Sequence, residues 1–200
     1  MAWTTRNANR DQVRRWLGAQ GSLSARLGDA GQSFCVQLLQ QGRQRLQADE
    51  ARALGLQGSR PGYVREVLLR VDDVAVVFAR SVTAHAFSLG PWRAMRGLGT
   101  QPLADLLFRP VAGIARTPLE FARLRPASRA RRQLARAWRG ATGEALVPRA
   151  LPARRSVFKR SGAPLLVMEV FAARQAPWCW PCARAGAGQP VLSRKRRHEN

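Results

Sequence analysis

Apolar and polar side chains alternate with a period of two along much of this chain. Tyr63 to Leu69 and Val76 to Val82 carry the clearest alternation, inside longer runs from Gly62 to Val71 and Val74 to Thr83. Two such runs joined at Asp72-Asp73 predict an antiparallel hairpin. Ser156–Arg160 and Pro164–Phe171, turned by Ser161-Gly162-Ala163, predict a second. Ser33 to Leu39 reads as a further strand, with Arg43–Gln47 as its hairpin partner after Gly42, and Pro118–Arg123 as another.

Helical spacing is confined to short segments. Asp11 is placed to cap a helix through Val13, Trp16 and Leu17, and Leu23 and Leu27 fall on one side of another that starts near Ser22. Pro102, in a first turn, precedes leucines at 103, 106 and 107. Asp49–Leu56 reads as a brief helix or a loop, 84–99 as irregular, and Ser128–Trp138 as an arginine-rich helix with Leu134 and Trp138 on one side. The arginine-rich stretch from about Leu124 to Leu151 is read as a solvated surface insertion. Hairpins with short helices between them predict an α+β fold, a mostly antiparallel sheet with helices on one face.

Three charges break the apolar pattern. Arg65 shares a strand face with Tyr63, Val67 and Leu69; Arg80 with Val76, Phe78 and Val82; Glu169 with Leu165, Val167 and Phe171. Alternation turns each towards a core. An unpaired charge costs several kcal/mol or more to bury, roughly. Two arginines and a carboxylate placed this way form either a ligand site or a structural bridge, Arg65–Glu169 or Arg80–Glu169, across the sheet.

Length and charge narrow the field. Two hundred residues suit one domain and some extra chain. The boundaries read as a domain over 1–174 and a basic, Pro- and Gly-containing tail over 175–200, expected to be mobile. A mean hydropathy of -0.28 and no long apolar run predict no membrane span. The first ten residues lack a signal-peptide pattern, which predicts a cytoplasmic protein. The net charge of +22 comes almost wholly from arginine. It reflects either compositional bias or attraction of anions. No nucleic-acid recognition motif is visible, so no specific nucleic-acid partner is expected. Cys35 lies in an apolar strand pattern and reads as a core residue. Cys179 and Cys182 form a Cys-x-x-Cys in the tail, without the ligands a zinc site needs. With two histidines, one of them in the tail, and no phosphate-binding loop or nucleophile elbow, no metal, cofactor or histidine triad is expected.

Several segments, in order, resemble the chorismate lyase family. They are Trp16-Leu17 with Gly21-Ser22-Leu23, Val64 to Leu69, Phe78 to Val82, Leu98 to Leu103 with Leu107-Phe108, Arg154-Arg155-Ser156, and Pro164 to Phe171. The resemblance implies an antiparallel sheet with two helical flaps over a buried pocket. It implies elimination of pyruvate from chorismate to give 4-hydroxybenzoate, the first step of ubiquinone synthesis, by a cytoplasmic monomer. Substrate contacts fall by resemblance on Leu23, Arg65, Leu103 and Glu169, with Arg80 nearby. Arg65 would pair with one carboxylate of chorismate, and Arg80 would neutralise the other or fix the ether oxygen. Glu169 would accept a hydrogen bond from the ring hydroxyl or pass a proton, and Leu23 and Leu103 would wall out water. Pro152-Ala153 stands where the family usually has Trp-Gly. The alternatives are a non-catalytic anion-binding module of the same fold type and a basic, nucleic-acid-associated protein. A sensor module carries a helix-turn-helix ahead of it, for which the residues before Asp11 offer no pattern.

Overall fold

The computed structural model describes residues 2–8, 13–57, 61–108 and 113–173. Asp11, Cys179, Cys182 and the tail after Ala173 lie outside the described residues. Seven strands form one sheet: β1 (Phe34–Arg45), β2 (Pro61–Val71), β3 (Val74–Ala84), β4 (Ile114–Arg116), β5 (Glu120–Leu124), β6 (Leu151–Arg160) and β7 (Ala163–Phe171). The spatial order is β1-β2-β3-β7-β6-β4, with β5 also on β6, and every pairing is antiparallel. Helices α1 (Val13–Gly18), α2 (Leu23–Gly28), α3 (Ala48–Ala53), α4 (Ala104–Leu107) and α5 (Arg129–Thr142) are short apart from the last, and two 3-10 turns fill His85–Leu89 and Arg93–Gly97.

The two expected hairpins form. Asp72 and Asp73 both take positive φ, 48° and 60°, as do Ser161 and Gly162, 48° and 75°. Two consecutive left-handed residues are what a tight turn between right-twisted strands requires. The Asp72 carboxylate also accepts from the backbone N–H groups of Gln32 and Ser33, at 2.6 and 2.8 Å, which ties the entry of β1 to this turn.

Gly42 does not turn the chain. β1 runs on to Arg45, with Gly42 opposite Val64 and a bulge between Leu38 and Gln40. Gly42 has φ of 148° and keeps its place in a regular stretch of the pairing, so a lone glycine inside a strand need not reverse the chain. Cys35 sits on this edge strand and is exposed, so it is not a core residue.

The α+β class holds, but helices cover both sheet faces rather than one. On the first face α1, α2, the second 3-10 turn and α4 pack through Trp16, Leu17, Leu23, Leu27, Met95, Leu103 and Leu107 onto Val67, Leu69, Phe158, Leu165 and Phe171. On the second face α3 packs through Ala51 on Val64, Val82 and Leu166, and α5 through Leu134 and Trp138 on Leu68, Phe78, Ala153 and Val170. The stretch read as a solvated insertion therefore supplies core. Leu134 is 1% and Trp138 4% exposed, while Arg129, Arg132, Arg136 and Arg139 of α5 face solvent. Ser128 caps α5, its hydroxyl accepting from Arg131 N–H, and Gly143 ends it in the left-handed region.

Candidate functional site

The register sorts the inward charges onto different faces. Arg65, Ser81, Val167 and Ser156 are successive partners across β2, β3, β7 and β6, and Val67, Ala79, Glu169 and Arg154 form the next row. Residues of one pleat face sit in such rows, so Arg65 and Glu169 share the first face. Ala79 and Ser81 lie between them, and these small side chains leave a hollow above the sheet. The result is a concave, largely apolar pocket floored by the sheet, the kind of place where small-molecule sites are found. Leu23 and Ser24 of α2 line it from above, as do Leu103, at the start of α4, and Ala104 and Leu107. Four of the expected contacts, Leu23, Arg65, Leu103 and Glu169, are thus brought to one cavity.

Arg65 is 2% exposed. Its Nη2 donates to the carbonyls of Gly99 (3.0 Å) and Gln101 (2.8 Å), just ahead of α4. Its Nε is buried with no hydrogen-bond partner. Among the described residues no carboxylate lies within salt-bridge distance of it. Burial holds its pKa below the ordinary arginine value, partly offset by Tyr63. A buried cation without an acid, and with an orphaned donor, fits an anionic ligand.

Glu169 does not meet Arg65. Its Oε2 accepts from Arg154 Nε at 2.5 Å. Arg154, 1% exposed, also donates through Nη1 to the carbonyls of Trp16, Leu17 and Ala19, at 3.0, 3.1 and 2.8 Å. Those carbonyls end α1, where a helix leaves acceptors unfilled and favours positive charge. Arg154 therefore fixes Glu169 and the chain leading into α2 together, while Glu169 Oε1 has no hydrogen-bond partner among the described residues. Sequence reasoning missed this residue as part of the site. Its signal was alternation with Ser156 and Phe158, cut short because β6 was started at Ser156 rather than at Leu151.

Arg80 is not in the pocket. It is 3% exposed but lies on the second face, opposite Glu66 in the register. Its Nε and Nη2 grip Glu50 of α3 at 2.6 and 3.1 Å, and its Nη1 donates to Glu66 at 2.6 Å. Glu66 also accepts from Gln40 (2.6 Å) and from Gln133 of α5 (2.8 Å). Burial alone would lower the Arg80 pKa, but the bonds and charges of Glu50 and Glu66 outweigh it and raise the value. The reading of Arg80 as a substrate contact is corrected: it ties α3 and α5 to the sheet.

A second unforeseen cation lines the pocket. Arg116, in the three-residue β4, donates from Nε to Ser156 Oγ at 2.9 Å. Its guanidinium lies over the rings of Phe108 and Phe158, at 5.8 and 5.1 Å from their centroids. A strand this short carries no alternation that would have marked it. Among the described residues, no group of three His, Cys, Asp or Glu side chains is placed to hold a metal ion.

Fold and lining define a sheet-floored domain that encloses a small-molecule site under short helices. Solved structures share this fold. The ligand-binding domain of a GntR-family transcriptional regulator from Bordetella bronchiseptica matches with a TM-score of 0.50 at 16% identity, over 72% of this chain and 86% of that one. The effector domain of PhnF from Mycobacterium smegmatis matches with 0.50 at 16%, over 78% and 91%. At such identity the likeness concerns the fold alone. Sequence comparison goes further. The family model described as chorismate lyase matches residues 7–178. A protein of Albidiferax ferrireducens named as a probable chorismate pyruvate-lyase is 63% identical over 97% of this chain and 98% of its own. Proteins of the same name from Cupriavidus metallidurans and an Azoarcus species are 41% and 44% identical, over 91% and 86% of this chain and 82% and 88% of theirs. The chain belongs to the chorismate lyase family and is an enzyme of the lyase class.

Proposed function

We propose that the enzyme converts chorismate to 4-hydroxybenzoate and pyruvate, the entry step of ubiquinone synthesis, acting as a cytoplasmic monomer. The observation that carries this is the buried Arg65, with no acid beside it and an unsatisfied Nε, in the same cavity as the free oxygen of Glu169. No helix among the described residues is long and apolar enough to cross a membrane.

The reaction needs little from the protein beyond orientation. The hydrogen on the ring carbon bearing the hydroxyl moves to the methylene of the enolpyruvyl group. The bond between ring and ether oxygen breaks, the C–H electron pair completes the aromatic ring, and the ether oxygen becomes the ketone of pyruvate. Arg65 donates from its unsatisfied Nε to one carboxylate, its Nη2 being held by Gly99 and Gln101. Glu169 accepts the ring hydroxyl on Oε1, while Arg154 keeps the carboxylate in place. Leu23 and Leu103 close the apolar walls and exclude water. Holding one reactive conformer supplies the acceleration.

Mixing the purified protein with chorismate tests this. Equal amounts of 4-hydroxybenzoate and pyruvate are expected. Chorismate bound tightly and recovered unchanged would identify a non-catalytic anion-binding module and overturn the reading.

A further inference from the structure

The removal of Arg80 from the pocket leaves a charge to be accounted for. Chorismate is a dianion, and Arg65 meets one carboxylate. Among the arginines lining the cavity, Arg154 has its charge met by Glu169 at Nε, and its Nη1 is held by three carbonyls. Arg155 turns its side chain to Glu120 and the ring of Trp3. Of these three, Arg116 alone has no acid paired with it among the described residues. Nε is spent on Ser156, and its two terminal nitrogens have no hydrogen-bond partner among the described residues. No carboxylate there lies within salt-bridge distance of it. Burial holds its pKa down, the positive Arg154 lowers it further, and Glu169 offsets only part of this.

Position favours a ligand role. β4 and β2 are four strand spacings apart in the sheet order, roughly 19 Å at the backbone. Both side chains reach the same cavity lining, so two guanidiniums serve it from opposite sides of the Ala79–Ser81 floor. The rings of Phe108 and Phe158 and the Ser156 hydroxyl hold the Arg116 plane without neutralising it.

We propose that Arg116 is the second anion-binding residue of the pocket: it takes the carboxylate that Arg65 does not, and makes the site prefer a dicarboxylate to a monocarboxylate. The inference rests on the lyase reading for the identity of the natural dianion, but not for the charge preference itself.

The test compares two probes that cannot turn over: 4-hydroxybenzoate, with one carboxylate, and 3-(carboxymethoxy)-4-hydroxybenzoate, which adds a second on an ether arm. Titrations use wild type, Arg116→Gln, Arg116→Lys and, as a bulk-charge control, Arg129→Gln on the exposed face of α5. Arg116→Gln is expected to weaken the dicarboxylate tenfold or more while leaving the monocarboxylate within about twofold. Arg116→Lys should recover part of the difference, and Arg129→Gln should change neither. In chorismate turnover the loss should fall mainly on KM. Equal weakening of both probes would assign Arg116 to packing of the Phe108–Phe158 wall and overturn the proposal, as would no change in either. If Arg116→Gln fails to fold by thermal melting, the same comparison on Arg116→Lys decides, since its dicarboxylate affinity should fall and its monocarboxylate affinity should not. Wild type that discriminates between the probes but leaves chorismate intact would sink the lyase reading and not this one.

Discussion

Two arginines of nearly equal burial, Arg65 and Arg80, show how register decides what a charge does. Arg80 meets two carboxylates and closes its own account; Arg65 meets carbonyls and none. Their variants should therefore separate. Arg65→Ala is expected to lower kcat/KM for chorismate by about a hundredfold or more, a loss of about 3 kcal/mol in transition-state stabilisation, with little change in melting temperature. Near-wild-type activity would show that Arg65 does not touch the substrate. Arg80→Ala should do the reverse. Leaving Glu50 and Glu66 buried without their cation costs about 3–5 kcal/mol of stability, read by urea unfolding, while the kcat/KM of the folded fraction is retained. Alternation along the chain was enough to show that Arg65, Arg80 and Glu169 are all turned away from water. It did not show that they face different interiors, because a sheet covered on both sides has two insides and strand periodicity cannot rank them. Arg154 and Arg116 were illegible for local reasons: the first precedes the point at which β6 was recognised, and the second lies in a strand of three residues.

At the scale of the element, α5 is the main revision. Its four-residue spacing of Leu134 and Trp138 was visible, but the many arginines around it suggested a wholly solvated helix. An amphipathic helix can be arginine-rich and still supply core, provided the apolar stripe faces a sheet. The second face offers one, through Leu68, Phe78 and Val170. Trp138→Ala should cost about 3–5 kcal/mol, seen as a lower urea midpoint. A loss under about 1 kcal/mol would mean that α5 is dispensable cover. The same substitution should leave the affinity for 4-hydroxybenzoate unchanged, since the helix lies across the sheet from the pocket. The hairpins were legible because two-residue turns with positive φ have a narrow sequence repertoire. The continuous β1 was not, since a lone glycine is equally compatible with a continuing strand and a reversal.

At the scale of the molecule, the covered pocket is expected to set the kinetics. Its sheet floor, helical cover and the guanidinium of Arg65 suit an aromatic monocarboxylate even without a second charge. The product is expected to leave slowly, and its release to limit turnover. Rapid mixing should show a burst of 4-hydroxybenzoate equal to the enzyme present, followed by a slower steady rate; a time course linear from the first turnover would place the slow step in the chemistry instead. The net charge of +22 is expected to favour the approach of a dianion before that step.

The two bonds from Arg65 Nη2 to Gly99 and Gln101 bear on how such a cavity empties. They latch the chain ahead of Leu103 to the very group proposed to hold the anion. Raising that cover strains or breaks the latch, so the doorway cannot swing without disturbing the lock. Unloading and resetting of the anion anchor become a single motion, and a variant that loosens the latch would trade hold on the product for speed of escape.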